Sequence, residues 1–353
     1  MKTNSIYRIL FVGGVIFTSL SCSESSNNRS SSPPALTGNL FLQVNSRASR
    51  GLVKLHLPTL TASVFAADMA EDGSFSISPD HRLLAYENTS KKTKVKTSSG
   101  EDVFTGNFNP IERYVWTSDS KKVYFANYFE GIYKIDLENR LETLEARTVG
   151  FSFNHSIAIS PDERIIVWIT HTFGKQIRFF KANFPDFSSP VQIYSNSSFN
   201  HDEDVRTIFL NNDLIAFNDD RIENEQGVWY LVTLNLKNSS SPSSIVRYCD
   251  RFSLSPNRSH IAYSADDASA LDTAVGVVDI RDWSNKKIDG LRYGFVTAIT
   301  WSPSGDYILI AVLRSGGSYV TDLIAYSFPQ MEKRLITSLN LNDSWVMETF
   351  WSR

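Results

Sequence analysis

The stretch Phe75-Ser-Ile-Ser-Pro-Asp-His-Arg-Leu-Leu-Ala-Tyr86 decides the fold, because the same phrase returns along the chain. It contains alternating apolar residues, a Ser-Pro-Asp turn and a second apolar run that ends in an aromatic residue. Proline presets φ for the first turn position, and Ser, Asp, Asn or Gly suit the positions around it. Each copy is therefore predicted to be a β-hairpin.

Five further copies follow at a spacing of about 45 residues. Their positions are Val115–Phe125, Ile157–Trp168, a short and degenerate copy at Ile208–Phe217, Phe252–Tyr263 and Ile299–Ile310. Other strand-like runs lie between the copies, for example Gly131–Asp136 and Gly227–Thr233, so each unit has room for about four short strands. A period of 40–50 residues with four strands per unit is typical of a β-propeller blade.

The two ends of the repeat region complement each other. Met347–Arg353 has the pattern of a first blade strand, while Asn39–Val44, Gly51–His56 and Ala62–Phe65 have that of the outer strands. Pairing the last strand with the first segment would close the ring and remove two exposed sheet edges. The sequence thus predicts an all-β, single-domain propeller over residues 38–353, with seven four-stranded blades. Six blades is the alternative, because the copy at Ile208–Phe217 is weak.

Composition excludes one class of partner. The 353 residues are 42% hydrophobic and 21% charged, as expected of a foldable chain. Lys and Arg (35) nearly balance Asp and Glu (38), for a formal net charge of −3. This balance gives no electrostatic reason to expect nucleic-acid binding, and we predict none.

The N-terminal residues have the features of an export signal. Lys2 and Arg8 precede an apolar run, Ile9–Leu20, that is too short to span a bilayer as a helix. Thr18–Cys22 resembles the bacterial lipoprotein signal, although the Leu lies one position closer to the cysteine than in the family pattern. We predict a signal peptide over 1–21, a lipidated Cys22 and a flexible Ser/Asn/Pro tether over 22–37; an ordinary cleaved signal is the alternative.

This interpretation gives a location and a first partner. The protein would be exported and anchored to a membrane of the bacterial envelope through Cys22, in the outer membrane on its periplasmic side or at the cell surface. A lipid on Cys22 would leave Cys249 as the only other cysteine, so no intramolecular disulfide could form. Cys249 is predicted to be a small buried apolar residue without a chemical role.

The repeated Ser-Pro-Asp phrase with its terminal Ala-Tyr or Ala-Phe resembles that of TolB-like β-propellers. It resembles more loosely the propeller domains of prolyl oligopeptidases and the WD-repeat proteins. The resemblance covers about residues 38–353 and implies the fold, but it does not transfer a function. TolB carries an α/β domain ahead of its propeller, and the strand pattern here starts directly after the tether. The oligopeptidases need a Gly-x-Ser-x-Gly motif, which this sequence lacks, so that peptidase activity is excluded.

Candidate site residues lie in the loops that lead into the first strand of each blade, here called the lead-in loops. In a propeller these loops converge on one face, and binding residues are often found on such loops. The predicted binding residues are Glu112, Arg113, His155, Asp202, Asp204, Arg206, Arg247, Arg251, Arg292, Tyr293 and Trp345. Ordinary solvated loops would also carry polar residues, so this set is a hypothesis.

The densest group of possible metal ligands is His201-Asp202-Glu203-Asp204. Adjacent residues of an extended segment point in opposite directions, so at most two of these could face one ion. We predict no cofactor; the metal candidates are His201, Asp202 and Asp204, and the catalytic candidates are His155 and His201. A separate basic tract, Lys91–Lys96, is predicted to be a solvated surface hairpin or loop, with contact to anionic headgroups or cell-wall polymers as the alternative.

These observations favour a non-enzymatic binding or scaffold module that recognises an envelope protein, peptide or glycan through the lead-in loops. The alternative is a metal-assisted lyase or hydrolase that acts on a polysaccharide or peptide at the central channel. It would require His and carboxylate groups to converge there.

Overall fold

The structure is a computed structural model that describes most of the chain. The described residues are 9–12, 15–18, 35–45, 51–57, 59–70, 73–108, 110–127, 130–147, 152–172, 176–197, 205–223, 226–238, 241–266, 272–292, 294–314, 320–340 and 345–353. The chain divides into two compact units, and each is described by itself. The first unit contains Met1–Ala67 and Arg251–Arg353, and the second contains Asp68–Asp250.

All regular secondary structure in the described residues is β-strand. In chain order the strands are β1 (Ile9–Val12), β2 (Val15–Thr18), β3 (Gly38–Asn45), β4 (Gly51–Leu57), β5 (Thr61–Ala66), β6 (Phe75–Ile77), β7 (Leu83–Glu87), β8 (Thr93–Thr97), β9 (Asp102–Thr105), β10 (Ile111–Trp116), β11 (Lys122–Asn127), β12 (Gly131–Asp136), β13 (Leu141–Arg147), β14 (Ser152–Ile159), β15 (Ile165–Thr172), β16 (Gln176–Asn183), β17 (Val191–Asn196), β18 (Thr207–Phe209), β19 (Leu214–Glu223), β20 (Gln226–Asn235), β21 (Ser243–Arg247), β22 (Cys249–Leu254), β23 (His260–Asp266), β24 (Asp272–Asp279), β25 (Asn285–Arg292), β26 (Gly294–Trp301), β27 (Tyr307–Arg314), β28 (Val320–Ser327), β29 (Lys333–Asn340) and β30 (Trp345–Ser352). No helix long and apolar enough to cross a membrane occurs within these described segments.

These strands form the seven four-stranded antiparallel blades of a β-propeller, which confirms the predicted fold class. Blades 1 to 6 each take four consecutive strands, from β6–β9 for blade 1 to β26–β29 for blade 6. The weak copy at Ile208–Phe217 is a true repeat, because β18 and β19 start blade 4 in the predicted place. The six-blade alternative is therefore wrong.

Blade 7 is composite, as the sequence predicts. Its strand order is β30-β3-β4-β5, and β30 pairs antiparallel with β3 from Asn39 opposite Ser352 to Asn45 opposite Trp345. The side chain of Trp351 reinforces this closure, because its Nε1–H donates to the carbonyl oxygen of Thr37 at 2.9 Å. The last strand thus lies innermost in a blade whose other strands come from the start of the repeat region.

Two strands lie before the repeat region. β1 and β2 pair with each other, and β2 adds to the outer strand β29 of blade 6, so this sheet has six strands. These residues belong to the predicted signal peptide. If cleavage takes place before Cys22, as the sequence predicts, blade 6 of the mature protein keeps its own four strands.

The apolar core lies between consecutive blades within each unit. Phe179 of blade 3 and Phe217 of blade 4 are fully buried, and their rings lie 4.3 Å apart between centroids. In the first unit, Leu40 and Leu42 of blade 7 pack in one cluster with Leu309 of blade 6. The apolar positions predicted from the strand pattern therefore pack one blade face against the next, as propeller blades require.

The Ser-Pro turns join the first and second strands of a blade. They therefore lie at the end of the first strand that is opposite the lead-in loop. In blade 1 the Ser78 hydroxyl donates to Asp80 Oδ1 at 2.6 Å and accepts the Leu83 N–H at 2.9 Å. His81, which follows Asp80 in this turn, has a φ of 62°. Glu163 and Gly305 occupy the same left-handed position in blades 3 and 6. The turn phrase therefore fixes its own backbone through local hydrogen bonds.

Candidate binding face

A β-bulge recurs at the lead-in end of the first strand. In blade 3, Asn154 pairs with Thr170 and Ser156 with Ile169, which leaves His155 as the extra residue. Blades 2, 6 and 7 have the same irregularity, and the extra residues there are Glu112 with Arg113, Thr297 and Met347. Bulges bend a strand and redirect side chains, and they are frequent beside functional sites.

Three of the predicted site residues therefore lie in bulges of the second unit. Glu112 and Arg113 are the extra residues of β10, and His155 is that of β14. Arg113 is half-buried, whereas the side chains of Glu112 and His155 lie outside the described residues. The sequence placed these residues near the lead-in end, but it held no signal for the bulges themselves.

Two other predicted arginines of the second unit lie close to the blade 4 strands. Arg206 is half-buried just before β18, and Arg247 is exposed at the end of β21. The guanidinium of Arg247 lies over the ring of Tyr248, at 4.5 Å from the centroid, and Tyr248 has a φ of 62°. This cation–π contact orients a cation at the lead-in loop of blade 5.

Sequence reasoning missed a buried polar network between blades 3 and 4. The carboxylate of Asp219 is fully buried, and Arg221 Nε and Asn196 Nδ2 each donate to it at 2.8 Å. Arg221 also lies over the Tyr230 ring at 4.9 Å. Burial, together with the charge of Asp219, raises the pKa of Tyr194, so its neutral hydroxyl faces the carboxylate. Only the Asn-Asp-Asp-Arg run in β19 could have drawn attention to this site.

The lead-in side of the first unit carries an exposed aromatic residue. Phe295 is 56% exposed on β26, directly before the Val296–Ala298 bulge. Trp345 and Arg251 are half-buried near the same ends of β30 and β22, and β26 packs against β30. Phe295 was not among the predicted site residues, although Arg292 and Tyr293, which shortly precede it in the chain, were.

The second and third strands of the same blade carry an ion pair. Arg314 forms a two-pronged ion pair with Asp322, with Nε–Oδ2 at 2.7 Å and Nη2–Oδ1 at 2.8 Å. Ser338 also donates to Asp322, so this carboxylate is fully engaged. Arg314 and Ser338 therefore engage both oxygens of the Asp322 carboxylate.

The predicted acidic and histidine cluster is not tested by the structure. His201, Asp202, Asp204 and Tyr293 lie outside the described residues, as does the side chain of Arg292. Among the residues that are described, no three His, Cys, Asp or Glu side chains form a group able to hold a metal ion.

The basic tract is largely ion-paired. Lys94 Nζ lies 3.2 Å from Asp68 and 3.3 Å from Asp102, and Lys96 pairs with Asp102 at 3.5 Å. Burial alone would lower the pKa of Lys94, but its hydrogen bonds to Asp68 and Asp102 outweigh this effect and raise it. The tract lies in the turn before β8 and in β8 itself, as the predicted surface hairpin would, and Lys94 and Lys96 are ion-paired there.

A serine–histidine–aspartate set lies at the Ser-Pro turn of blade 5. His260 is 2.7 Å from the Ser259 hydroxyl through Nδ1 and 3.5 Å from Asp279 through Nε2. Asp279 is held by Arg281, whose side-chain hydrogen bond lowers the pKa of that carboxyl. The His260 ring packs edge-on against Phe328 at 4.8 Å. Arg281 thus engages both oxygens of the Asp279 carboxylate, and the set links the turn between the first two strands of blade 5 to the end of β24.

Comparisons with known proteins agree with the fold. No protein-family model matches the chain. No curated protein matches it either. Oligogalacturonate lyase in complex with manganese superposes with a TM-score of 0.60 at 10% identity, over 84% of this chain and 85% of that one. A putative 6-phosphogluconolactonase from Bacteroides fragilis gives 0.59 at 13% identity, over 92% and 100%.

TolB from Acinetobacter baumannii is a third similar structure, with a TM-score of 0.52 at 14% identity over 88% of this chain and 82% of that one. At such identities the likeness shows the fold alone. The chain is therefore a seven-bladed β-propeller whose structural neighbours include enzymes and TolB, and its function must be argued from its own surface.

Proposed function

We propose that the protein is an exported, lipid-anchored propeller that serves as a non-enzymatic binding or scaffold module in a bacterial envelope. Its site is the lead-in side of the blades, and its ligand is an envelope protein, peptide or glycan. One observation carries the proposal: exposed Phe295 stands directly before a β-bulge, at the lead-in end of a first strand.

An exposed aromatic side chain at a rigid strand end suits recognition. Aromatic and arginine side chains dominate the binding energy of many interfaces, because they bury a large area at a small entropic cost. Trp345 and Arg251 lie at the corresponding ends of the other first strands of the same unit. Isolated exposed apolar residues are common, so the combination with these two residues is what supports a binding face.

The test places a photo-crosslinking amino acid at position 295 in living cells. The matched control is position 335, since Leu335 is 43% exposed on the outer strand of the same blade. We expect adducts from position 295 only, and a lower yield when Arg251→Ala is added. Identical adducts from both positions, or none from position 295, would contradict the proposal.

The anchor is proposed from the lipoprotein-like Thr18–Cys22 segment and the polar tether behind it. Cys22→Ala should abolish incorporation of labelled fatty acid and release the protein from the membrane fraction. Cys249→Ala is the matched control, because Cys249 is the other cysteine and is buried. Unchanged labelling of Cys22→Ala would rule out the anchor.

The metal-assisted lyase or hydrolase remains the second candidate, and the bulge at His155 is the observation that favours it. Native mass spectrometry with elemental analysis of the chelator-free protein separates the two candidates. We expect no stoichiometric metal. A bound metal that is lost on His155→Ala would favour the enzyme.

A further inference from the structure

The Ser-Pro turns of consecutive blades are linked by hydrogen bonds. In the turns of blades 1 to 3, a backbone N–H donates to a side-chain oxygen of the turn in the following blade. The three pairs in the second unit are Asp80 N–H to Ser120 Oγ at 3.2 Å, Ser118 N–H to Glu163 Oε1, and Asp162 N–H to Asn212 Oδ1 at 3.2 Å. Each turn therefore covers the turn before it.

Blade 6 has no following turn to cover it. The first two strands of blade 7, β30 and β3, come from opposite ends of the repeat region, so no Ser-Pro turn joins them. The place of the missing turn is a pocket of about 480 Å³. The pocket is lined by Ala35–Gly38, by Trp351 and Arg353, and by residues of the blade 6 turn, which are Ser302, Pro303, Ser304, Asp306 and Tyr307.

The apolar wall of this pocket is rigid. Leu36 is 4% exposed and Trp351 is 2% exposed, and the Trp351 ring stacks on Tyr307 with centroids 6.1 Å apart. The hydrogen bond from Trp351 Nε1 to the Thr37 oxygen fixes the indole. The pocket is thus preformed and does not need to open before a ligand binds.

The polar wall offers an N–H group that is capped in other blades. Ser304 takes the turn position of Asp80 and Asp162, and its hydroxyl contacts Ser302 Oγ at 3.2 Å. No side-chain oxygen of the described residues accepts the Ser304 N–H, in contrast to the equivalent N–H groups of Asp80 and Asp162. Ser304 is exposed, so a ligand can reach this N–H group and supply the acceptor.

We propose that this pocket docks a β-turn of a partner protein that carries a Ser, Asn or Glu acceptor side chain, as the turns of blades 2 to 4 do. The acceptor binds the Ser304 N–H, and the turn packs against Leu36 and Trp351. The occupant is inferred from the molecule's own repeat, because a turn of this kind fills the equivalent place over blades 1 to 3. The site is separate from the proposed lead-in face, since it lies at the opposite end of the first strands.

The test uses a fluorine-labelled cyclic peptide with the blade 3 turn sequence Ile159–Ile165, observed by NMR on the exported protein. A second peptide replaces the residue equivalent to Glu163 with alanine. We expect the first peptide to bind, and the second to bind about 3- to 10-fold more weakly for loss of one hydrogen bond. Equal binding of both peptides would overturn the proposed contact.

The protein variants locate the site. Ser304→Trp fills the mouth of the pocket and should weaken peptide binding at least about tenfold, whereas Leu335→Trp adds the same bulk on the outer strand and should leave it unchanged. Equal binding by Ser304→Trp, or no binding by the parent protein, overturns the proposal. Binding that appears only after residues 29–34 are replaced by Gly and Ser also overturns it, because the occupant is then the chain's own segment.

Discussion

At the scale of the residue, the turn phrase works through one hydroxyl and one carboxylate. Thr117 Oγ1 donates to Asp119 Oδ1 at 2.6 Å and accepts the Lys122 N–H at 3.1 Å, and Ser160 repeats this with Asp162. The hydrogen bond from Thr117 holds the pKa of the Asp119 carboxyl below its usual value. Blade 5 has the neutral Asn257 in the same place.

Thr117→Ala should therefore lower the free energy of unfolding by about 1 kcal/mol at pH 7. A carboxyl with a depressed pKa in the folded state stabilises the fold above its unfolded pKa of about 4, and this stabilisation is lost as the pH falls through the folded pKa. The cost of Thr117→Ala should thus shrink below pH 4, as measured by urea unfolding across pH.

Ser255→Ala is the control for this prediction, because Asn257 does not titrate. Its cost should be the same at pH 7 and pH 3. A pH-independent cost for Thr117→Ala would show that its bond to Asp119 does not depend on the charge of the carboxylate.

At the scale of the element, the strands carry two kinds of irregularity. A bulge between the third and fourth strands occurs in all seven blades, for example between Ile132 and Tyr133, and it adds to the twist of the outer strand. Among the strand pairings that the structure describes, the lead-in bulges occur in blades 2, 3, 6 and 7. Apart from these irregularities, β19 carries a buried charge pair. Asp219 and Arg221 are two residues apart, so both side chains lie on the same face of the strand.

Arg221→Ala should lower the free energy of unfolding by roughly 3 kcal/mol, because it leaves the fully buried Asp219 carboxylate without its cation. This loss of unfolding free energy lies at the lower end of the range for a broken buried ion pair, because the Arg221 side chain is 34% exposed. The double variant Arg221→Ala with Asp219→Asn should recover much of the loss, because Tyr194 and the Asn196 amide then face a neutral group. Urea unfolding measures both.

The matched control is Arg178→Ala on the neighbouring blade. Arg178 Nη2 donates to the neutral amide oxygen of Gln176 at 2.8 Å, so its loss leaves no buried charge. We expect a cost below about 1 kcal/mol. Equal costs for Arg178→Ala and Arg221→Ala would show that the Asp219 pair is not electrostatically important.

At the scale of the whole molecule, closure depends on one short strand. β30 supplies the innermost strand of blade 7, and its Trp351 packs on Tyr307 of blade 6. Without β30, the backbone N–H and C=O groups of β3 would form an unpaired edge. Such edges associate with other chains, so the propeller depends on a contact between segments about 300 residues apart.

A chain that ends at Asn340 should therefore associate into dimers and larger species, detected by light scattering after size-exclusion chromatography. A chain that begins at Ala35 is the control and should remain unaffected, because β3 and β30 are both kept. A monomeric truncated chain with unchanged unfolding cooperativity would show that β30 is dispensable for closure.

The sequence by itself determined the hairpins and the composite blade, and it favoured seven blades over six. Each Ser-Pro phrase specifies its turn through contacts within about five residues, and the apolar alternation of Leu40–Val44 and Trp345–Trp351 specifies which faces are buried. These features depend on local chemistry and a fixed period, so they can be recognised without coordinates.

Only the tertiary structure decided the details of the candidate sites. The bulges at His155 and Thr297, the hydrogen bond from Asn196 to Asp219, and the uncovered Ser304 turn all depend on register or packing between separate strands. Such contacts join residues that the sequence keeps far apart, and a shift of one residue would point each side chain to the other face. The repeat in the sequence therefore predicts the fold, while the chemistry of the candidate sites depends on how neighbouring strands and blades pack.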